Sequence, residues 1–160
     1  YSSVSGGNLR FENCSSWDFH EVIKKEFGDG CSFDDSTAVE IEVFKGENKV
    51  GRIKVEKNAK DNGITILLKG STDVISNGKK TFLYTKKIPA MTVGGTGDVL
   101  SGLTAGMLAK NRNALESAAV ATFINGLAGM AVQKKFGLHM TSMDLLDEIP
   151  TVMKPFDKIV

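Results

Sequence analysis

Met91-Thr92-Val93-Gly94-Gly95-Thr96-Gly97-Asp98-Val99-Leu100-Ser101-Gly102 is the stretch around which this 160-residue chain is organised. Three glycines, a hydroxyl and a carboxylate stand together, and apolar residues at helical spacing follow. Glycine lets a backbone turn tightly and approach a ligand without a Cβ in the way. A helix that starts there aims its free N–H groups and positive dipole end at whatever sits above the turn. Such a helix entry is an anion site, and Asp98 stands in it. Alone, the pentapeptide reads equally as a glycine-rich helix entry with Asp98 as an ordinary first-turn acid, because short glycine motifs recur by accident.

Upstream, Ile64-Thr65-Ile66-Leu67-Leu68 is a short apolar run with β-branched residues, bounded by Gly63 and by Lys69-Gly70-Ser71-Thr72-Asp73. It reads as a strand buried on both faces, as in a parallel sheet. Ligands of open α/β sheets sit outside the carboxyl ends of the strands. Lys69, Gly70, Ser71, Thr72 and Asp73 are therefore a second candidate group. They read alone as a polar strand end, and beside the glycine turn as a seat for a nucleotide phosphate and its sugar or base. Between the two groups, Val74-Ile75-Ser76 and Lys80-Thr81-Phe82-Leu83-Tyr84 flank Asn77-Gly78, a strong hairpin signal. Pro89 interrupts the segment before the glycine turn.

Downstream the chain reads as three helices. The first starts near Asp98 and is thin at Gly102, Ala105 and Gly106, so another element is expected to pack close there. The second, Ala114 to Phe136, is apolar on most sides and is expected to be buried, with Gly137 as its stop. The third follows the capping pattern Thr141…Asp144, and Pro150 is expected to limit it.

The first third is harder to assign. Trp17 to Phe27 has helical spacing, and Val39, Ile41 and Val43 alternate as in a strand with one wet face. Gly46-Glu47-Asn48 turns the chain, after which Val50 to Val55 fits either a second hairpin strand or a helix start. Lys57 to Gly63 reads as a polar helix end closed by glycine. Asp34-Asp35 reads as a solvated turn, because adjacent acids on a strand diverge.

Composition narrows the function. Twenty Lys and Arg against nineteen Asp and Glu leave a formal charge of +1, which gives no argument for a nucleic-acid or membrane surface. No run of spanning length and no signal-peptide pattern is read, so a cytoplasmic location is expected. Cys14 and Cys31 are widely spaced and no histidine cluster accompanies them, which disfavours zinc; two buried or idle thiols in a reducing cytosol are expected, with a disulfide as the alternative. The GxxxxGK[ST] spacing of a Walker loop is missing, and no early strand leads into GxGxxG. No catalytic set can be built on His20 and His139.

The chemistry of the glycine turn is specific. A phosphoryl group in transfer spreads charge over several oxygens. Backbone N–H groups of Gly95, Thr96 and Gly97 can stabilise that charge without a mobile side chain. Asp98 can take a proton from an attacking hydroxyl.

Val93 to Gly102 resembles the signature of the ADP- or ATP-dependent NAD(P)H-hydrate dehydratases, a branch of the ribokinase-like superfamily. Leu67-Leu68-Lys69-Gly70 with Asp73-Val74-Ile75, the helix carrying Asn125-Gly126-Leu127-Ala128-Gly129, and Met140 to Pro150 resemble the family in the same order. The likeness covers about residues 49 to 153. It implies an α/β fold: a ribokinase-like three-layer sandwich, a parallel-rich sheet flanked by helices, incomplete on its N-terminal side. Residues 1–48 stay unassigned, and 49–160 correspond to the C-terminal half of the nucleotide-binding domain.

The implied activity is repair of hydrated NADH or NADPH, by phosphorylation of the hydrate hydroxyl and loss of phosphate. By position, Asp98 is the base and touches the hydrate. Gly94, Gly95, Thr96 and Gly97 form the anion hole, and Lys69 to Asp73 with Gly97 contact the nucleotide. The resemblance implies ADP or ATP as co-substrate, Mg²⁺ on its phosphates with no protein metal ligand assigned, and a homo-oligomer. A small-molecule kinase of the same superfamily, for a vitamin precursor or sugar, and a nucleotide-binding module without turnover are the other readings.

Overall fold

The structure, a computed structural model, describes residues 40–157 apart from 46, 47, 71 and 112, with the backbone alone for 40–54. The helix expected at Trp17 to Phe27, both cysteines, His20 and Asp34-Asp35 lie outside the described residues. So do residues 46 and 47 of the first turn.

β1 (Glu40–Lys45) and β2 (Asn48–Lys54) pair antiparallel, with Ile41 opposite Ile53 and a register shift between Val43 and Phe44. Helix α1 (Val55–Asn62) follows β2 without a break, so both alternatives for the Val50–Val55 stretch are used in turn. α1 buries Val55 and Ala59, one helical turn apart, and Gly63 closes it with φ +61.

β3 (Ile66–Leu68), β4 (Asp73–Ser76) and β5 (Thr81–Tyr84) form a three-stranded antiparallel sheet in chain order. This corrects two expectations. β3 is half-buried rather than covered on both faces, and neither described sheet contains a parallel pair. The physical reason is connection length. Only four residues separate β3 from β4, and a parallel neighbour needs a crossover of about a dozen or more. The doubly buried strand is β4, all four residues of which are buried.

The hairpin at Asn77-Gly78 forms as expected. Gly78 has φ +79, and the Asn77 carboxamide oxygen accepts the N–H groups of Lys79 and Lys80 at 2.9 Å each. A Cβ on Gly78 would lie 2.4 Å from Lys60 Cα, so the turn seats directly on α1.

Three helices complete the described fold: α2 (Thr96–Asn111), α3 (Ala114–Phe136) and α4 (Ser142–Met153). A one-turn 3-10 segment, Pro89–Thr92, leads from β5 toward α2. Successive residues of β4 face opposite sides. Ile75 belongs to the large core shared with α2, α3 and α4, whereas Val74 is buried outside that cluster, as are Val55 and Ala59 of α1. α1 packs on β3 and β4 while α3 packs on β4 and β5. The layers are thus one helix, the antiparallel sheet, and three helices.

α3 is the central element. It is long and apolar enough to cross a membrane by length and composition, and it is buried here over most of its length by the sheet, α2 and α4. Asn113 caps its start by accepting the Glu116 N–H at 3.2 Å, and Gly137 at φ +63 ends it. α4 opens on the expected capping box between Thr141 and Asp144. Pro150 does not end it: the helix runs on to Met153. The carbonyl that Pro150 leaves unpaired one turn back belongs to Leu146, which is exposed, so water can satisfy it. The thin face of α2 also departs from expectation. Gly102 and Gly106 have nothing within 4 Å of an added Cβ, and Ala105 is exposed, so among the described residues no element packs there.

Candidate functional site

The glycine turn is built in two layers, one structural and one open. Gly95 is structural. Its φ is +91, a conformation that side chains disfavour, and a Cβ there would lie 2.7 Å from Ser142 Oγ and 2.9 Å from Ser142 Cβ. The Gly95 carbonyl accepts the Val99 N–H at 3.1 Å, the first helical bond of α2. That makes Gly95 the N-cap, a cap with no side chain to occupy the helix's free donors. Thr96 is buried, and its hydroxyl donates to the carbonyls of Met91 (3.1 Å) and Val93 (3.2 Å), fastening the 3-10 segment to α2. Thr96 therefore contributes its backbone N–H to the turn, its hydroxyl being taken.

Gly94 and Gly97 have no such reason to be glycine. Both are exposed, neither has positive φ, and a Cβ on either meets nothing within 4 Å among the described residues. Asp98 is exposed beside them in the first turn of α2. The first N–H groups of a helix have no partner inside it. Thr96, Gly97 and Asp98 thus present three donors beside two bare Cα positions and a carboxylate.

The second group is shaped by Asp73. Its buried carboxylate accepts the Gly70 N–H at 2.9 Å and lies 3.9 Å from Lys69 Nζ. This carboxylate holds the Gly70 backbone at the end of β3, with the Lys69 ammonium beside it. Ser71 lies outside the described residues, and Thr72 is half-buried.

A cavity of about 280 Å³ opens beside this turn. Lys69, Gly70 and Asp73 form one wall, and Tyr84 with Lys86 to Pro89 forms a second. Met91 and Thr92 lie on the way to the glycine turn, and Thr122, Asn125 and Gly126 of α3 make the back. The cavity thus draws in Lys69, Gly70 and Asp73 and not Gly94 to Asp98, which follow Thr92 along the surface. Sequence reasoning missed the walls contributed by Tyr84, Lys86, Lys87 and Asn125. Two signals were available: the Lys86-Lys87 pair before Pro89, and a lone Asn inside an otherwise apolar helix.

Two glycines of α3 let that helix approach. A Cβ on Gly126 would lie 1.9 Å from Tyr84 Oη, and one on Gly129 would lie 2.1 Å from Met91 Sδ. The Ala90 N–H adds a bond to Gln133 Oε1 at 3.1 Å. The segment between the sheet and the glycine turn is thereby locked onto α3.

The family model for NAD(P)H-hydrate dehydratase matches residues 40–151. The chain belongs to the NAD(P)H-hydrate dehydratase family. It is 76% identical over 114 residues to the ADP-dependent (S)-NAD(P)H-hydrate dehydratase of Nitrosopumilus maritimus, a match covering 71% of this chain and 40% of that protein. It is 64% identical over 105 residues to the enzyme of the same name from Cenarchaeum symbiosum, covering 66% and 37%. Among solved structures it is similar to an ADP/ATP-dependent NAD(P)H-hydrate dehydratase from Bacillus subtilis co-crystallized with ATP/Mg²⁺. The TM-score is 0.60 at 27% identity, over 64% of this chain and 38% of that one. A ribokinase-like superfamily protein of Enterococcus faecalis matches with a TM-score of 0.58 at 30% identity, over 64% and 36%. The chain thus carries part of the ribokinase-like fold of its family, and spans about two fifths of the length of these relatives.

Proposed function

We propose that this chain supplies the nucleotide site and the phosphoryl-transfer turn of an ADP-dependent NAD(P)H-hydrate dehydratase, with residues 49–160 as the working part. The observation that carries the reading is the pair Gly94 and Gly97. Among the described residues these glycines serve neither backbone strain nor packing, and they flank free helix N–H groups. A backbone left bare at such a place suits the close approach of a phosphate.

The parts divide the chemistry. The cavity is of a size for a nucleoside, and Lys69, Lys86 and Lys87 at its walls suit the attached phosphates. From there the chain leads through Met91 and Thr92 to the N–H groups of Thr96, Gly97 and Asp98. These donors stabilise charge on the transferred group, and Gly95 gives the turn its shape. Asp98 accepts the proton of the hydrate hydroxyl as its oxygen bonds to the β-phosphorus of ADP and the bond from that phosphorus to the bridging oxygen breaks, with AMP as the leaving group. Loss of phosphate from the phosphorylated hydrate then restores the reduced nicotinamide ring.

Magnesium belongs to this reading as an ion carried by the nucleotide. Among the described residues no group of three or more His, Cys, Asp or Glu side chains is placed to hold a metal. Mg²⁺ commonly stays bound to substrate phosphates, where it offsets their charge. A homo-oligomer and a cytoplasmic location are part of the same proposal.

A nucleotide-binding module without turnover is the second reading. It is favoured by the exposure of Gly94, Gly97 and Asp98, which face no second wall among the described residues. One experiment separates the two. The chain is incubated with hydrated NADH and ADP, and the return of NADH absorbance is followed. Return of absorbance supports the dehydratase reading, and ADP binding without it supports the module.

A further inference from the structure

Gln133 lies on α3 outside the lining of the cavity, half-buried, and meets the site through another residue's backbone. Its Oε1 accepts the Ala90 N–H at 3.1 Å, across 43 residues of chain. Ala90 is buried and stands in the 3-10 turn between the cavity wall and the glycine turn. Pro89 before it has no N–H to give, and Met91 after it donates to the Ile88 carbonyl at 2.9 Å. The N-cap of this turn, Ile88, offers no side-chain acceptor. The Ala90 N–H is therefore the orphan donor of the turn, and α3 supplies its partner.

The bond sits where direction is needed. Thr122, Gly126, Gly129 and Gln133 recur at helical spacing and share one face of α3. Gly126 admits Tyr84 and Gly129 admits Met91. Such contacts hold the segment close to α3 without fixing how far it slides along the helix, because they carry no direction. A hydrogen bond does fix it, since it weakens steeply away from its preferred angle. Downstream of Ala90, the Met91 carbonyl accepts the Thr96 hydroxyl at 3.1 Å, and Thr96 opens α2 with its free N–H groups. Upstream, Lys86 to Pro89 line the cavity. Ala90 thus stands between the lysines of the cavity and the donors of the glycine turn.

We propose that Gln133 is a positioning residue: through the Ala90 N–H it sets the glycine turn relative to the cavity, so that one nucleotide reaches both. The proposal rests on the nucleotide reading above and deepens it, by naming what aligns its two parts. In that reading the AMP portion occupies the cavity and the β-phosphate of ADP extends to the glycine turn. Coupling between a bond and a ligand is reciprocal. A bond that favours the β-phosphate at the turn is itself strengthened when the β-phosphate binds.

Two measurements on the full 160-residue chain test this. Calorimetry compares ADP with AMP, and the unmodified chain is expected to bind ADP at least about tenfold more tightly. Gln133→Leu, which lacks the acceptor, is expected to cut that ratio about fivefold, the size of one hydrogen bond, and to leave AMP affinity unchanged. Gln133→Glu, which keeps an oxygen at that place, is expected to retain the ratio. A ratio unchanged in Gln133→Leu, or lost equally in Gln133→Glu, overturns the proposal. So does an equal loss of affinity for both ligands, the mark of a merely structural bond. The second measurement needs no variant to fold. Exchange of the Ala90 amide hydrogen, read by NMR, is expected to be about fivefold slower with saturating ADP than with saturating AMP, the same coupling seen from the other side. Equal exchange with the two ligands overturns the proposal. An unmodified chain that binds neither ligand, or binds both equally, overturns the nucleotide reading itself, and this proposal with it.

Discussion

Replacing the glycines of the turn one at a time should separate what the fold needs from what a ligand needs. Gly95→Ala forces a side chain into φ +91 and sets a Cβ 2.7 Å from Ser142 Oγ and 2.9 Å from Ser142 Cβ. The left-handed conformation costs an L-residue about 1–2 kcal/mol. Crowding adds about 1–3 kcal/mol. The Ser142 hydroxyl can rotate away, but its Cβ moves only if the start of α4 moves, so a total of about 2–5 kcal/mol is expected. That is a large share of the about 5–15 kcal/mol that holds a typical domain together. Gly94→Ala and Gly97→Ala meet nothing within 4 Å and need no positive φ. Gly94→Ala should stay within about 0.5 kcal/mol of the parent. Gly97→Ala, inside the first turn of α2, should be neutral or gain up to about 1 kcal/mol. Affinity should run the other way. A methyl group that keeps a phosphate from a free helix N–H forfeits a charge-assisted bond of about 1.5–3 kcal/mol, so ADP should bind at least about tenfold more weakly to both exposed-glycine variants. Urea denaturation measures the first quantity and calorimetry with ADP the second. A Gly95→Ala chain as stable as the parent would refute the structural assignment. Unchanged ADP affinity in both Gly94→Ala and Gly97→Ala would refute the phosphate assignment.

Three further outcomes are expected. Asp98→Asn, at an exposed position, should leave the unfolding midpoint and ADP affinity close to the parent and abolish recovery of NADH from its hydrate; retained turnover would remove Asp98 from the role of base. Gly126→Ala should destabilise by on the order of 1–2 kcal/mol, because the roughly 1 kcal/mol gained in helix propensity is outweighed by displacing a Tyr84 ring that stands 1.9 Å from the new Cβ at Oη and 2.4 Å at Cζ. An unchanged urea midpoint would show that the ring does not sit there. The side-chain and then the backbone hydrogen bonds from Thr141 hold the Asp144 carboxyl below its usual value of 3.8. Because the folded value is the lower one, the interaction is present above about pH 4 and is lost as pH falls through the folded value. Thr141→Ala should lower stability by about 1 kcal/mol near neutral pH and flatten the acid limb of a plot of melting temperature against pH. An acid limb of unchanged slope would place the interaction elsewhere.

Some elements were legible because their signals are local. Asn77-Gly78 permits only a few turn geometries, and the hairpin follows. Thr141 and Asp144 satisfy each other three residues apart, and α4 starts there. Gly63 and Gly137 take the positive φ that ends α1 and α3. Other elements were misread because their outcome depends on partners distant in the chain. Ile64 to Leu68 has the composition of a strand covered on both faces, yet among the described residues β3 has only β4 beside it and remains half-buried. Pro150 carries a stop signal that an exposed, hydratable carbonyl overrides.

The amino-acid sequence by itself determined the family motif, the order of the elements from β3 onward, and the two groups of residues with chemistry. Glycine, proline, capping residues and apolar spacing act over a few bonds, so their consequences are written where they stand. Only the tertiary structure decided which glycines are needed by the fold and which are free for a ligand, since that depends on what Ser142, Tyr84 and Met91 bring against them. It also decided that Asn125, Tyr84 and Lys86 join Lys69 around one cavity. Asn125 is about forty residues from Tyr84 and Lys86 along the chain, and only the packing of α3 on the sheet brings them together.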